Sequence, residues 1–340
     1  MSNDVTLIEG PHFDELAVGE YLPDPPAVTL TAGHAAWHGA LFGDRLRLPL
    51  SAPLSEAVLG PGAQAVHPAL VCNLVTGQTT YATQEVRANL FYRGLVLRAP
   101  VRVGDTLTTR TRVVGLRQSR RQEGRAATGI AVLEMETRNQ RGELIVHFWR
   151  APLLPCRDPN ADTGHADALD AFPAALDPAV LTEAAAHYDI AAFKAAVPGA
   201  RRPTEGARYR VAARDTVTSA PELVRLTLNM ARTHTDAGHS HYAQRLVYGG
   251  HTIAMACAQL GRALPDLVTV LGWHGCDHTG PVFEGDILQS EVTVGAITPL
   301  PAGGALVDLS VTVHAQRGPA SPDPGTSAPV LDWKLVALAP

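Results

Sequence analysis

Apolar and polar residues alternate with a period of two over long stretches late in each half of this chain, and that pattern predicts strands. In the first half the stretches are Thr106–Val114, Gly129–Thr137 and Leu144–Trp149. In the second they are Val268–Trp273, Ile287–Val294, Leu306–His314 and Val330–Val336. Each set follows an apolar segment of helical character, His67–Val75 and His251–Leu264. A short strand (Ala27–Leu30; Ala207–Ala213) and a helical stretch (around Ala35–Leu41; Pro221–Met230) come earlier still. One helix followed by a run of antiparallel strands implies a sheet curled around a buried helix, an α+β layout.

The halves also repeat in residue detail. Pro100-Val101-x-x-Gly104-Asp105-x-Leu107 recurs 181 residues later as Pro281-Val282-x-x-Gly285-Asp286-x-Leu288. Val66-His67 and Val247-Tyr248 stand the same distance apart, and each half closes on a tryptophan followed by a base, Trp149-Arg150 and Trp333-Lys334. A Gly-Asp turn alone is common chemistry, but three features in one order argue for duplication. The expected organisation is an N-terminal unit over 1–155, a linker over 156–205 and a C-terminal unit over 206–340. Gly318–Pro329, rich in Pro, Ser and Gly, is expected to be a long hairpin loop.

Composition narrows the class. The 340 residues are 46% hydrophobic and 18% charged, as in a globular protein with a substantial core. A net charge of −5 gives no reason to expect a nucleic-acid partner. No apolar run approaches the roughly 20 residues that span a bilayer, so no membrane partner is expected. The first residues lack the basic-then-apolar order of a signal peptide, and the four cysteines are scattered. The expected setting is the reducing cytoplasm.

Candidate chemistry concentrates in Asn229–Ile253, where His234, His239, His241, His251, Asp236 and the pair Gly249-Gly250 crowd the start of the second apolar helix. A helix N-terminus offers unpaired N–H donors and a positive dipole end, which suit a developing oxyanion. Histidines beside it supply proton transfer near neutrality. His239-x-His241 and His274-x3-His278 have ligand-like spacing, yet no cysteine or carboxylate pattern completes a zinc set, and hydrogen bonding at a pocket rim is the preferred reading. Arg117–Arg125 reads as a solvated hairpin tip, with contact to phosphate groups as the alternative. There is no GxGxxG or P-loop pattern.

The duplicated helix-and-sheet pattern resembles the double hot-dog fold. FDELAVGE (Phe13–Glu20), ALFGDR (Ala40–Arg45) and the Gly-Asp strand starts are similar to those of MaoC-like hydratases and dehydratases. Gly43-Asp44-Arg45-Leu46, TRNQRGE (Thr137–Glu143), THTD (Thr233–Asp236), RLVYGGHTI (Arg245–Ile253) and VLGWHGCDH (Val270–His278) resemble mesaconyl-CoA (2-methylfumaryl-CoA) hydratases in particular. The resemblance implies an enoyl-CoA hydro-lyase with an acyl-CoA thioester as substrate, no cofactor and no metal. It leaves homodimerisation open, since one chain already holds the paired halves. Acyl-CoA thioesterase activity and non-catalytic acyl-CoA binding are the alternatives.

The family pattern has an Asp, a His five residues on, then x-Asp. The second half answers with Asn229, His234 and Asp236; the first has Asp44 but Pro49 in the histidine position. The expected site is therefore in the second half. Asn229 would orient water and His234 would transfer its proton, with help from Asp236 or Asp44. Gly249 and Gly250 would bind the thioester carbonyl and Tyr248 would line the acyl pocket. Arg232 is preferred over Arg245 and Arg45 as the partner of a second substrate carboxylate.

Overall fold

The computed structural model describes residues 5–172, 175–242, 244–319, 321 and 323–340. Five strands belong to the first half: β1 (Val28–Thr29), β2 (Ala88–Leu97), β3 (Thr106–Gln118), β4 (Thr128–Arg138) and β5 (Leu144–Pro155). Six follow: β6 (Arg208–Arg210), β7 (Asp215–Thr216), β8 (Thr269–Asp277), β9 (Ile287–Pro299), β10 (Ala305–Gln316) and β11 (Ser327–Ala339). The helices are α1 (Ala32–Phe42), α2 (Arg47–Leu50), α3 (Ala52–Leu59), α4 (Pro68–Gln78), α5 (Pro178–Ala185), α6 (Ile190–Ala196), α7 (Ala220–Leu226) and α8 (Gly249–Ala263).

All strands join one antiparallel sheet in the order β1-β3-β4-β5-β2-β8-β11-β10-β9-β6, with β7 also on β9. The order is palindromic about the β2–β8 seam, where Leu95 pairs with Trp273 and Val96 with Gly272. A side chain at Gly272 would fall 2.8 Å from the Leu95 carbonyl oxygen, so glycine there lets the halves join closely. The sheet curls around α4 and α8, which pack on each other within the main core. Its other face, at the seam, is covered by α3, α5 and α6, through Leu54, Leu181 and Phe193 against Val96, Val268 and Val336. This is the double hot-dog, α+β architecture expected from the sequence.

Buried polar groups reproduce the repeat. Gln78 Nε2 donates to the Leu107 carbonyl at 3.2 Å, and Gln259 Nε2 donates to the Leu288 carbonyl at 3.0 Å. Both residues in each pair are 181 apart. Asp105 accepts from the Arg102 N–H at 2.9 Å and Asp286 from the Phe283 N–H at 3.0 Å, each after a left-handed glycine (Gly104, φ 96°; Gly285, φ 91°). The Trp-base feature does not survive as an equivalence. Arg150 is buried and Trp149 half-buried, whereas Trp333 is buried and Lys334 exposed, so the two pairs present opposite strand faces.

Most predicted elements are present with longer ends. The helix expected over Pro221–Met230 stops at Leu226, and Leu228 turns left-handed at φ 58°. Strand β2 was not predicted: its apolar residues do not alternate cleanly, and Gly94 at φ 66° interrupts it under the Trp149 ring. Within the Gly318–Pro329 loop, Ala320 and Pro322 lie outside the described residues. No helix among the described residues is long and apolar enough to cross a membrane.

Candidate active site

The two helix N-termini are built differently. At α4, Pro68 has no N–H and the Ala69 N–H is taken by the capping His67 Nδ1 at 3.1 Å. At α8, Tyr248 occupies the cap position without a side-chain bond, and the Gly249 and Gly250 N–H groups find no acceptor among the described residues. Free donors at a helix start carry the positive end of its dipole. Among the described residues, the first two N–H positions are thus open at α8, and neither is open at α4.

That end opens into a cavity of 410 Å³ walled by both halves, with Thr76, Thr80, Tyr92 and Arg150 from the first and Asn229, Arg232, His234, Tyr248, Gly249 and His278 from the second. The catalytic-loop candidate, Thr227–Asp236, rests on the first half. Met230 N–H donates to Thr80 Oγ1 at 2.8 Å, and Arg232 N–H to the Gln84 carbonyl at 3.0 Å. A methyl on Gly77 would fall 1.8 Å from the Thr227 carbonyl oxygen, so α4 needs glycine where this loop docks.

Asn229 is buried, and its Oδ1 accepts from the Ala231 N–H at 2.9 Å. This leaves its amide N–H₂ as the free end of the side chain. His234 is half-buried at the cavity wall, 5.5 Å from Tyr248 between ring centroids. Its Nδ1–H donates to the Leu246 carbonyl at 2.8 Å, so in the neutral ring Nε2 holds the lone pair. Burial lowers its pKa to about 4 against the opposing pull of that carbonyl. At neutral pH it is an unprotonated base.

His278, at the end of β8, stands in the same wall. Its Nε2 is buried without a hydrogen-bond partner among the described residues, and a methyl at Gly249 would come within 2.5 Å of it. Burial first, and the neighbouring His234 second, lower its pKa to about 4. The site thus holds two neutral imidazoles beside the open helix start. The sequence reading put His278 only at a pocket rim; its signal, a histidine just after a buried strand, is weak without the tertiary neighbours.

Other expected residues fall differently. Tyr248 is buried, with its hydroxyl donating to the Asn73 carbonyl at 3.3 Å; burial raises its pKa, so it stays protonated. Gly250 is buried outside the cavity lining, and glycine is required there because a methyl would strike Asn73 Oδ1 at 2.1 Å. Arg232 reaches the cavity but is ion-paired to Glu85 and also contacts His239, so its charge is already compensated. Arg245 pairs with Glu284 at 2.8 Å, and exposed Arg45 lies outside the cavity. Asp236 is exposed outside the cavity lining, where it caps the turn through the Gly238 N–H and pairs with His239 Nδ1, both at 2.8 Å.

Asp44 is also displaced from the site. It is buried 2.9 Å from His67 Nε2 and accepts from the Leu46 N–H at 2.8 Å. Burial raises its pKa, but His67 and that N–H outweigh it and hold the carboxyl at about 2. Asp44, His67 and Cys257 bring ligand-type atoms within 4.8 Å of one another, the one such group among the described residues, and none of the three lines the cavity. The His67 Nδ1 lone pair is used by the Ala69 N–H, while His67 Nε2 and Asp44 Oδ2 approach to 2.9 Å without hydrogen-bond geometry, each buried with no hydrogen-bond partner among the described residues. His239 and His241 are held by Arg232 and Arg87 respectively, rather than meeting as a ligand pair. The Arg117–Arg125 run lies largely in the exposed turn between β3 and β4.

No family model matches the chain. It is 28% identical to the beta-methylmalyl-CoA dehydratase of Chloroflexus aurantiacus over 97% of both chains. It is 27% identical to the mesaconyl-CoA hydratase of Cereibacter sphaeroides over 87% of both. Among solved structures, a double hot-dog protein of Mycobacterium tuberculosis is 43% identical, with a TM-score of 0.86 over 97% of this chain and 98% of that one. A MaoC domain dehydratase from Chloroflexus aurantiacus is 25% identical, with a TM-score of 0.83 over 97% of both.

Proposed function

Because this chain belongs to the MaoC-like double hot-dog hydratase/dehydratase family, we propose that it is a hydro-lyase adding water to a branched or dicarboxylic enoyl-CoA, with mesaconyl-CoA as the model substrate. The observation that carries this reading is the uncapped start of α8 facing a cavity shared with a neutral, oriented His234. The thioester carbonyl accepts from the Gly249 N–H, which lines the cavity. Water sits between the Asn229 amide and His234 Nε2. As Nε2 takes a proton from the water, its oxygen bonds to the β-carbon, and the alkene electrons move through the α-carbon into the carbonyl, making an enolate.

The enolate charge is stabilised by the helix end, an effect worth about 3–4 kcal/mol for one well-placed donor. It also raises the proton affinity of the nearby imidazoles while it exists. The α-carbon then takes a proton as the carbonyl re-forms. His234 can return the one it removed, and His278 is placed to relay it. Neither Asp44 nor Asp236 has a part in this scheme. The catalytic unit is the C-terminal one (206–340), while the N-terminal unit (1–155) supports the loop and walls the cavity. A CoA thioester substrate and four free, buried cysteines fit a reducing cytoplasm.

Incubation with mesaconyl-CoA tests the reading directly. The expected result is loss of enoyl absorbance without release of free thiol, slowed at least about 100-fold by His234→Ala. Release of thiol would instead make the protein a thioesterase, and binding without either change would make it a non-catalytic acyl-CoA protein. Hydration by His234→Ala at the wild-type rate would remove His234 from the mechanism.

A further inference from the structure

Two cavity-lining arginines lack a carboxylate partner among the described residues: Arg87, which is exposed and contacts His241, and Arg150, which is buried. Arg150, on β5, is only 4% exposed, and it lines the same cavity as His234 and Gly249. Its Nη2 donates to the Thr79 carbonyl at 2.9 Å and to Thr83 Oγ1 at 3.1 Å, both neutral acceptors. Its Nε is buried with no partner, and Nη1 makes no hydrogen bond among the described residues. The groups whose charge would offset it are the phenols of Tyr92 and Tyr248. Burial pushes the Tyr92 hydroxyl up to about 12 and raises that of Tyr248 as well, so both stay neutral. Glu85 shares the cavity wall but is bound to Arg232.

A guanidinium held out of water without an anion is costly, and burial alone lowers its pKa, yet arginine keeps its proton. The planar fork with open N–H groups matches a carboxylate, which it can bind through two parallel bonds. A carboxylate entering with the ligand would satisfy both the charge and the orphaned donors. We propose that Arg150 forms the subsite for the distal carboxylate of a dicarboxylic acyl-CoA. The site then selects a second carboxylate by charge, and a neutral acyl chain leaves the guanidinium unpaired. This rests on the cavity being the acyl site of the proposed hydro-lyase, and it replaces Arg232 as the carboxylate partner.

Succinyl-CoA and butyryl-CoA test the subsite without any chemistry, since both acyl chains have four carbons and one ends in a carboxylate where the other ends in a methyl. Calorimetry on the intact protein is expected to give succinyl-CoA a dissociation constant about 30- to 100-fold lower than that of butyryl-CoA. The preference should fall to less than about threefold in Arg150→Met, and in Arg150→Gln, which can still donate to the Thr79 carbonyl. Equal affinities in the unaltered protein, or a preference undiminished in either folded variant, would overturn the proposal. Hydration assays separate it from the functional reading. Equal turnover of mesaconyl-CoA and crotonyl-CoA with no succinyl-CoA preference sinks the subsite and leaves the hydratase. A succinyl-CoA preference with no hydration of any enoyl-CoA sinks the hydratase and leaves the subsite.

Discussion

At the scale of single residues, the proposed mechanism rests on neutral imidazoles. A free histidine titrates near 6.5, whereas burial holds His234 at about 4. The base is active when unprotonated, so the acid limb of kcat/KM is expected well below 6.5, near pH 4 to 5, in a pH profile with mesaconyl-CoA. A limb at 6.5 would place the working base in water rather than in this wall. His278→Gln keeps a side chain of similar reach but cannot relay a proton. It should lower kcat about 10- to 100-fold while leaving the thermal midpoint within a few degrees. An unchanged kcat would confine His278 to packing against Gly249. His234 and Gly249, which line the cavity, stand out as candidates in the sequence because they lie near a recognisable helix start. His278 and Arg150 do not, since their meaning comes from strands that are distant in sequence. For Arg150 a local signal existed: it shares the inward phase of β5 with Val146, Phe148 and Leu154, a charge on an apolar stripe.

At the scale of elements, the position of the candidate loop after α7 depends on how α4 receives it. The missing side chain of Gly77 allows the Thr227 carbonyl to lie against the helix, and Thr80 and Gln84 then fix the next residues. Gly77→Ala would force this loop outward. We expect a loss of about 1–3 kcal/mol in urea unfolding and a larger fractional loss of kcat than stability alone explains. Gly275→Ala in β8 is the control, because nothing lies within 4 Å of the added methyl. It should change stability by no more than about 0.5 kcal/mol. Periodicity identified α4, α8 and the long strands, because burial on one face imposes a repeat on the sequence. It missed β2 because that strand joins the two halves at the seam, where both faces are covered and alternation fades.

For the molecule as a whole, burying histidines ties stability to pH. His38 and His251 are almost fully buried, His251 with a pKa of about 4 and His38 lowered well below 6.5, chiefly by burial. Between pH 6.5 and 4 the unfolded chain binds protons that the folded chain refuses, so stability rises with pH across that window and is lost on acidification. At pH 5 the cost should be on the order of 2 kcal/mol for His251, with His38 adding in the same direction, measured by urea unfolding against pH 7. The Asp44 carboxyl, held at about 2, is lost only below the ordinary carboxylate range, so it adds a separate fall at lower pH. A flat profile from pH 7 to 5 would mean that the histidines become solvated without unfolding. The sequence by itself determined the repeat and the wrapped-helix architecture and pointed to one candidate site, because each of these is written as local pattern: period, turn residues, and polar groups crowded at a helix start. Only the tertiary structure decided that Asp44 is held by His67, that Arg232 is already neutralised, and that His278 and the uncompensated Arg150 face the cavity. Charge compensation and burial depend on which distant groups the sheet brings within a few ångströms, and no local pattern encodes that.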